Sequence, residues 1–423
     1  MKNTGNKLHK SLLALSLLFI LSYNSISQTK FNFDSILKSN LVKYAAILEN
    51  PNKYKLQIIY TQINRNTDNQ PSFKTYKFHP NKTYFYPAST VKLPVTLVAL
   101  MKLKELKEKG LDLDTPMLTD SAYFCQRKVF KDTTSLTGYP SLSTYIKKMW
   151  LVSDNWSCAR VYEFIGCDYL HKQLETNGFK NVRINNRLDG ACPGDTAKVT
   201  PPLYFLNTNK DTVYKQSLQF ATYNKTHPIE KSLAGVKHRD ANGKKRPGPK
   251  DFSKHNYLAL ADVHEMMRRL VFNPYLKPEE KLPIDNSDRV FVLKQAGMLP
   301  KESEFPKYDK KEYYDSYKKY FMYGSAVATI KGDSIRVFNI VGRAYGFLID
   351  CAYIIDLKNN VEFMLSASVF VNERRDIGSG KYEYESLGLP FLKDLSLSVY
   401  NYEKKRLKTN QPDLKEFNFF DYK

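Results

Sequence analysis

The 423-residue sequence contains only five cysteines, no glycine-rich phosphate-binding loop and, beyond its N-terminus, no apolar run long enough to span a membrane. The cysteines are widely spread, odd in number and without a CxxC pair, which excludes a protein held together mainly by disulfides. One bridge is possible in an oxidising compartment, but the spacing assigns no pair. The stretch "HEMMR" at 264–268 begins like a zinc-protease helix, but Arg268 stands where the second histidine would be. We therefore expect no metal and no other cofactor.

The N-terminus has the three-part layout of a secretory signal peptide. Three lysines precede an apolar run over residues 12–21, and small residues follow at 25–27. We therefore predict a signal peptide at 1–27 and a mature domain at 28–423, periplasmic or secreted, with no transmembrane span. An uncleaved N-terminal anchor is the alternative. No cysteine lies near the cleavage site, so a lipid anchor is not indicated.

The chain is strongly basic, with 65 lysines and arginines against 43 acidic residues and a formal charge of +22. Such a balance can indicate nucleic-acid binding, but an exported protein would not meet nucleic acid. Either anionic polymers of the cell envelope are its neighbours, or the charge is simply that of a lysine-rich surface. We expect no nucleic-acid partner, and no motif specifies an oligomeric state.

Hydrophobic periodicity predicts strands near both ends of the chain and helices between them. The predicted strands lie at 54–63, 72–80, 333–342, 346–356 and 361–372, and the predicted helical segments at about 33–50, 89–110, 115–180, 258–271 and 387–405. Two polar segments, a basic one at about 203–256 and a second at about 302–322, are expected to be surface excursions. This order predicts a single α+β domain: one antiparallel sheet with strands from both ends, flanking helices and a helical lobe. The cleft between the lobes is a usual place for a site.

The stretch "YPASTVKLPV" at 86–95 contains Ser89 and Lys92, three positions apart at the start of a predicted helix. This spacing places both side chains on one helix face. A serine becomes a strong nucleophile when a base takes its proton, and a lysine can be that base if burial or a nearby cation makes it neutral. Taken alone, the pattern also fits an ordinary exposed helix start.

A second polar group, Ser153-Asp154-Asn155, lies between an apolar run and the next predicted helix. In a cleft, Ser153 could relay a proton and Asn155 could hold a substrate amide. The same residue types also cap helices well, and the two interpretations are compatible.

Together these motifs resemble the serine β-lactamase and penicillin-binding-protein superfamily, and above all its class A β-lactamase branch. "FYPASTVK" is similar to the nucleophile motif, and "LVSDNWSCARVYEFIG" to the second motif with its following helix. "VRINNRLDGACPGDTAKVTPP" resembles the active-site loop, and "YGFLIDCAYII" the strand-turn-strand passage after the third motif. The resemblance follows one order over most of the mature chain, apart from the two excursions.

The resemblance implies a role for each motif residue. Ser89 would be the acylated nucleophile and Lys92 a base or proton relay. Ser153 would pass a proton to the leaving nitrogen, and Asn155 would orient the substrate. The implied fold is the β-lactamase/transpeptidase-like α+β fold.

The first departure from the family pattern concerns release of the acyl group. Class A enzymes have a loop glutamate that activates water, but no glutamate occurs between Glu175 and Glu230. The equivalent position is Asn185 or Leu188, depending on which end of the loop is aligned. Asp189 is the nearest carboxylate and either substitutes as the base or makes a loop-stabilising contact. Loss of a positioned base typically costs about 10²–10⁴ in rate, so we expect slow deacylation.

The second departure concerns the third motif. The family strand carries Lys, then Thr or Ser, then Gly, where this chain has Ile340-Val341-Gly342. Strand alternation directs Arg343 to the face opposite Ile340, and Arg336 lies four residues further back. No replacement lysine is identified from the sequence. The resemblance places substrate-binding backbone in this strand, with one N–H joining that of Ser89 in an oxyanion hole, at Gly342, Arg343 and Ala344.

Three functions remain open at this stage. The first is an exported serine hydrolase of the class A type that opens a β-lactam or a related cell-envelope amide or ester through an acyl-enzyme at Ser89. The second is a penicillin-binding or D,D-peptidase-like protein that releases its acyl group slowly. The third is a degenerate member that binds small-molecule or peptidoglycan-like material without catalysis. A covalent adduct separates the third from the others, and its lifetime separates the first from the second.

Overall fold

The computed structural model describes residues 31–33, 36–37, 41–79, 83–225, 228–229, 232–327, 329–330 and 334–420. The predicted signal peptide at 1–27 therefore lies outside the described residues. Within these ranges, no helix is long and apolar enough to cross a membrane.

One antiparallel sheet takes strands from both ends of the chain. The strands, in chain order, are β1 (Gln57–Arg65), β2 (Pro71–Phe78), β3 (Met117–Thr119), β4 (Leu203–Leu206), β5 (Thr212–Gln216), β6 (Leu233–Ala234), β7 (Lys237–Arg239), β8 (Lys245–Pro247), β9 (Lys250–Asp251), β10 (Ile335–Ala344), β11 (Phe347–Asp356), β12 (Val361–Phe370) and β13 (Asp376–Ile377). The five-stranded sheet has the order β10-β11-β12-β1-β2. The pairing of β12 with β1 joins a strand from the first part of the chain to a strand from its last part. This is the sheet that the terminal strand patterns predicted.

Helices cover both faces of this sheet. Their bounds are α1 (Ala45–Glu49), α2 (Lys92–Leu106), α3 (Leu142–Leu151), α4 (Asn155–Ile165), α5 (Cys167–Thr176), α6 (Leu260–Phe272), α7 (Asn286–Gly297) and α8 (Leu389–Lys405). Helices α2 to α7 share one apolar core with one face of the sheet, and α1 and α8 share another with the opposite face. Every residue of β11 is buried as a result, which explains why its sequence is a nearly unbroken apolar run. The predicted α+β fold class is confirmed.

Alternate residues of β10 face the two cores. Phe338 and Ile340 belong to the core of the helical lobe, whereas Val337 and Val341 belong to the core under α8. This alternation follows from the pleat of a strand. It decides which β10 side chains can approach a site in the helical lobe.

Helix α2 runs through the centre of the helical lobe. All its residues from Lys92 to Leu103 are buried, which fits a sequence that is apolar on every side. The helix is followed by a 3₁₀ turn and stops at Gly110, whose φ of +77° is readily adopted by glycine. Lys92 therefore begins a helix that carries it into the protein interior.

The prediction of a helix from 115 to about 140 is wrong, and the basic segment 203–256 contains short strands. Most of its described residues are exposed or half-buried, but β4 and β5 join β3, β7 and β8 join β13, and Phe252 is fully buried. These strands are two to five residues long and pair with distant segments, so no local period marks them. The chain from 115 to 140 forms β3 and loops, and the predicted helical segment begins only at α3.

Candidate active site

Ser89 lies in a tight turn that precedes α2. The turn is a 3₁₀ segment over Ala88–Val91, and Ala88 has a φ of +47°. Both the backbone N–H and the hydroxyl of Thr90 donate to the carbonyl of Pro87, at 3.1 and 2.7 Å. A Cβ placed on Gly342 would lie 2.6 Å from the same carbonyl oxygen, so β10 presses directly against the turn. Non-glycine residues with positive φ persist where the surroundings enforce them, and they are frequent at active sites.

The amine of Lys92 brings the two sequence motifs together. Its Nζ donates to Ser89 Oγ at 2.8 Å, to Ser153 Oγ at 2.9 Å and to the Ser153 carbonyl at 2.7 Å. It also lies 2.7 Å from Asn155 Oδ1. One buried amine thus connects the nucleophile candidate with both functional residues of the second motif.

Burial controls the proton affinity of Lys92. Loss of solvent, together with the charge of Lys318, lowers the pKa of this lysine to about 7 against the opposing effects of Cys158 and Asp154. A lysine with this pKa is partly neutral near pH 7 and can accept a proton. The sequence analysis required a lysine that burial makes partly neutral, so that it can accept a proton. The fold provides that burial for Lys92.

The second motif has a structural and a chemical part. Asp154 caps α4, because its Oδ2 accepts from the N–H of Ser157 at 2.7 Å. Ser153, with a φ of +61°, lies between α3 and α4. In that conformation both oxygens of Ser153 contact the Lys92 amine. Capping by Asp154 therefore holds the two flanking residues where they meet Lys92.

Asp189 lies in a buried ionic cluster. Its Oδ1 is 3.5 Å from Arg187 Nε and its Oδ2 is 4.0 Å from Arg160 Nη2, and both arginines also pair with Glu163. All four side chains are at most 4% exposed. Among the described residues, the ion pairs of Asp189 are with these arginines, and Ser89 is not among its hydrogen-bond partners. The cluster favours the loop-stabilising interpretation, because the carboxylate lies against two buried guanidinium groups and is not among the hydrogen-bond partners of Lys92.

The third-motif strand places no cation of its own next to Ser89. Ile340 is buried in the helical-lobe core. Arg343 extends to the other face, where it pairs with Glu385 at 2.7 Å and lies 4.3 Å from the ring centroid of Tyr384. Arg336 pairs with Glu302 at 2.7 Å. The strand still has Gly342, Arg343 and Ala344 beside the serine turn. Among the described residues, β10 is the outer strand of its sheet, so alternate N–H groups there have no strand partner.

The sequence motifs did not identify one cation near the site. Lys318, in the segment 302–322, acts electrostatically on Lys92 and is itself influenced by Arg343. Burial and Arg343 lower the pKa of Lys318 to about 8. The sequence marked this segment only as rich in tyrosine and lysine, and nothing in it distinguishes Lys318 from its neighbours. Tertiary contacts alone select this residue.

A cavity of about 790 Å³ lies elsewhere, between α3, α7 and residues 302–305. Its lining includes Ser143, Lys147 and Lys294, and none of the residues that surround Ser89. Lys147 donates to the carbonyl of Phe305, so its amine is already held at the rim. Ser143 Oγ donates to Asp114 Oδ1 in this lining, but neither residue belongs to the two motifs, so this cavity is not the site that the motifs predict.

The candidate zinc-type histidine has a structural position. His264 is buried in α6, with Nε2 2.8 Å from Thr61 Oγ1 and Nδ1 2.7 Å from Ser366 Oγ. Burial lowers the pKa of this imidazole to about 3, so the ring is neutral between the two hydroxyls. It ties α6 to the middle of the sheet.

The α+β fold and the grouping of Ser89, Lys92 and Ser153 agree with the serine β-lactamase and penicillin-binding-protein superfamily that the motifs resemble. The model of the β-lactamase enzyme family matches residues 42–282, more than half of the chain, and the chain therefore belongs to that family. The matched region contains both motifs and Asp189, and it ends before β10. Family membership makes the protein a β-lactamase-like hydrolase.

Solved β-lactamase structures resemble the chain at low identity. That from Sphaerobacter thermophilus is 10% identical, covering 86% of this chain and 96% of its own, with a TM-score of 0.46. The structure from Xanthomonas campestris is 12% identical, and the match covers 87% of this chain and 98% of its own, with a TM-score of 0.47. The structure from Desulfarculus baarsii is 12% identical, and the match covers 88% of this chain and 99% of its own, with a TM-score of 0.47. A search of curated proteins gave no match.

Proposed function

We propose that the protein is an exported serine hydrolase of the class A type, which forms an acyl-enzyme at Ser89 with a β-lactam or a related cell-envelope amide or ester. One observation carries the proposal: the buried Lys92 amine, with a pKa of about 7, contacts Ser89 Oγ, Ser153 Oγ and Asn155 Oδ1 together. An ordinary helix start would leave that lysine exposed and fully charged.

Acylation follows from these contacts. Neutral Lys92 accepts the Ser89 hydroxyl proton while Oγ attacks the carbonyl carbon, and the N–H groups of Ser89 and of the β10 strand near Arg343 or Ala344 stabilise the oxyanion. The carbonyl–nitrogen bond then breaks. Ser153 gives its proton to the leaving nitrogen and takes one from Lys92. The product is an ester on Ser89, and water later cleaves it to release the acid and restore the serine.

The second step lacks an evident base. Among the described residues, no carboxylate is hydrogen-bonded to Ser89, Lys92 or Ser153, and Asp189 is engaged by Arg160 and Arg187. This observation favours a second candidate function, a penicillin-binding or D,D-peptidase-like protein with a long-lived acyl group. Lys92 or a bound water would then carry the slow hydrolysis.

Export is supported by one covalent feature besides the N-terminal pattern. Cys125 and Cys192 form a disulfide, with a Cα–Cα distance of 5.3 Å. Structural disulfides persist in oxidising compartments and are rare in the cytosol. The three other cysteines are buried and free.

The proposal is tested by the intact mass of the mature protein after incubation with benzylpenicillin, with Ser89→Ala as the control. We expect the wild type to gain the mass of one penicillin and the control to gain none. An adduct that disappears as the drug is hydrolysed supports the lactamase; one that persists supports the slow-releasing protein. A folded wild type with no adduct at any time would contradict both.

A further inference from the structure

A smaller cavity lies where the central sheet meets the short strand β6. It has a volume of about 380 Å³ and is bounded by the segment before β1, the end of β12 with the turn that follows it, and β6. The motif residues around Ser89 do not line it. Its charged and polar lining includes Lys53, Lys55, Asn372, Glu373 and Arg375.

Backbone contacts hold the walls of this cavity together. The N–H of Phe370 donates to the Tyr54 carbonyl at 2.7 Å, which joins the end of β12 to the segment before β1. The N–H of Val236 donates to the Arg375 carbonyl at 2.9 Å. A Cβ on Gly235 would lie 2.8 Å from the same carbonyl oxygen, so only a glycine lets the chain after β6 approach so closely. The cavity is therefore built by three parts of the chain that are tied to one another.

Two cations of the lining have no acidic partner. Lys53 and Glu373 pair with each other at 3.2 Å. Among the described residues, no carboxylate lies within ion-pair distance of the half-buried Lys55 or of Arg375 at the rim. The Lys55 amine reaches only the Leu233 carbonyl, at 3.5 Å. Burial and the charge of Arg375 both lower the pKa of Lys55, as expected for two neighbouring cations without a counter-charge.

Asn372 adds a buried hydrogen-bond donor to the same lining. The residue is 4% exposed, and its Oδ1 accepts from the N–H of Asp376 at 3.3 Å. This contact identifies the oxygen, and the other end of the amide, Nδ2, has no hydrogen-bond partner among the described residues. The Asp376 carboxylate does not line the cavity. A buried donor without a partner is costly, and such groups are rare unless a ligand or a water binds them.

The two unpaired cations also have unusual backbone conformations. Lys55 has a φ of +44° and Arg375 a φ of +50°, a region that residues other than glycine seldom adopt. Such conformations persist where the surroundings enforce them, and they cluster at sites that hold ligands.

We propose that this cavity binds a phosphate monoester, whose phosphate group lies between Lys55 and Arg375 and accepts a hydrogen bond from Asn372 Nδ2. A phosphate monoester carries a charge of about −1.5 to −2 at pH 7, which matches two cations, whereas a carboxylate supplies one charge. Arginine can donate two parallel N–H groups to phosphate oxygens, and lysine acts on them as a point charge. The site goes beyond the acyl-transfer function and does not depend on it.

The size of the cavity limits the ligand. A volume of about 380 Å³ is near the lower end for ligand cavities, so either a small ester or the head group of a larger molecule fits. Two sources share this chemistry: a soluble phosphate ester, and a lipid whose head group is a phosphate monoester.

The test measures binding of glycerol 3-phosphate to the mature protein by calorimetry. We expect one molecule to bind, and Lys55→Gln and Arg375→Gln each to lower the affinity about 10- to 100-fold, as is typical for a charge-assisted contact. Asn372→Asp retains the acceptor for Asp376 but replaces the donor with a negative charge, and should lower the affinity at least as much. Acetate should bind at least about tenfold more weakly than the phosphate ester, because it has less charge.

Matched controls remove the same charge elsewhere. Lys310→Gln and Lys311→Gln, at exposed positions of the segment 302–322, should leave the affinity unchanged. Ser89→Ala should bind glycerol 3-phosphate as the wild type does, which separates this site from the acylation site. Circular dichroism of each variant verifies that the fold is retained.

Flotation with vesicles distinguishes the two sources. Binding to phosphatidylcholine vesicles that contain phosphatidic acid, lost in Lys55→Gln, would support the site with a lipid head group as its ligand. Binding of glycerol 3-phosphate alone would support it with a soluble ester. A folded wild type that binds neither probe would overturn the proposal. Equal affinities of the wild type, Lys55→Gln and Arg375→Gln, or equal affinities for acetate and glycerol 3-phosphate, would also overturn it.

Discussion

At the scale of single residues, the chemistry depends on the neutral form of one lysine. Lys92 can take the Ser89 proton only when it is deprotonated, and its pKa of about 7 places that change within the physiological range. The groups that face it are Lys318, whose charge favours the neutral amine, and Asp154 and Cys158, which favour the charged one. The burial that would allow Lys92 to act as the proposed base also makes its charge responsive to pH.

We predict that acylation by benzylpenicillin becomes faster as the pH rises through about 7. The second-order rate constant should rise there because Lys92 loses its proton. Stopped-flow acylation rates from pH 5 to 10 measure the profile.

A neutral acyl ester provides the matched comparison. It should show the same rise, because Lys92 takes the Ser89 proton in both reactions. Lys318→Met should move the rise to higher pH, because the charge of Lys318 favours the neutral amine of Lys92. A profile that is flat between pH 6 and 8 would rule out Lys92 as the titrating base.

At the scale of elements, the contact of β10 with the serine turn sets the geometry. Gly342 allows the strand to approach, since any Cβ there would meet the Pro87 carbonyl at 2.6 Å and Thr90 Cγ2 at 3.2 Å. Backbone cannot give way as a flexible side chain can. The distance between the Ser89 N–H and the strand N–H groups therefore depends on the absence of one methyl group.

We predict that Gly342→Ala lowers the acylation rate by about 10²-fold or more, because a shift of about 1 Å in a reacting group can cost that much. Val341→Ala is the control: it removes apolar contacts on the opposite face of the same strand and should cost about 1–3 kcal/mol of unfolding free energy, with little effect on acylation. Denaturant melts and adduct kinetics on both variants separate the two effects. Equal acylation losses in the two variants would refute a specific role for the strand approach.

The individual helices and strands show which parts of the fold can be predicted from the sequence. Strand β11 and helix α2 were predictable because each is a long apolar run, and α6 because its buried residues recur at helical spacing. Strands β6 to β9 were not, since two or three residues carry no period. Ser89, Lys92, Ser153 and Asn155 were found through local motifs. Lys318 belongs to no motif, and a tertiary contact, from Asn339 Nδ2 to its carbonyl at 2.9 Å, holds its backbone beside β10.

At the scale of the whole molecule, two loops that are distant in sequence are joined beside the helical lobe. One follows β3 and the other precedes β4. The disulfide between Cys125 and Cys192 links them, and so do two weaker contacts: the N–H of Asp120 donates to the Pro202 carbonyl at 2.9 Å, and Gln126 Nε2 to the Val199 carbonyl at 3.3 Å. The second loop also contains Asp189 and Arg187.

We predict that Cys125→Ser with Cys192→Ser lowers the free energy of unfolding by about 2–4 kcal/mol, because the bridge closes a long loop in the unfolded chain. The hydrogen bonds between the loops remain, and the contacts of Lys92 with Ser89 and Ser153 lie outside the bridged segments, so acylation by benzylpenicillin should change less than threefold. Urea melts, with dithiothreitol-treated wild type as the comparison, measure the first quantity, and intact-mass kinetics the second. A large loss of acylation in a stably folded double variant would mean that the loop containing Asp189 acts directly on the nucleophile.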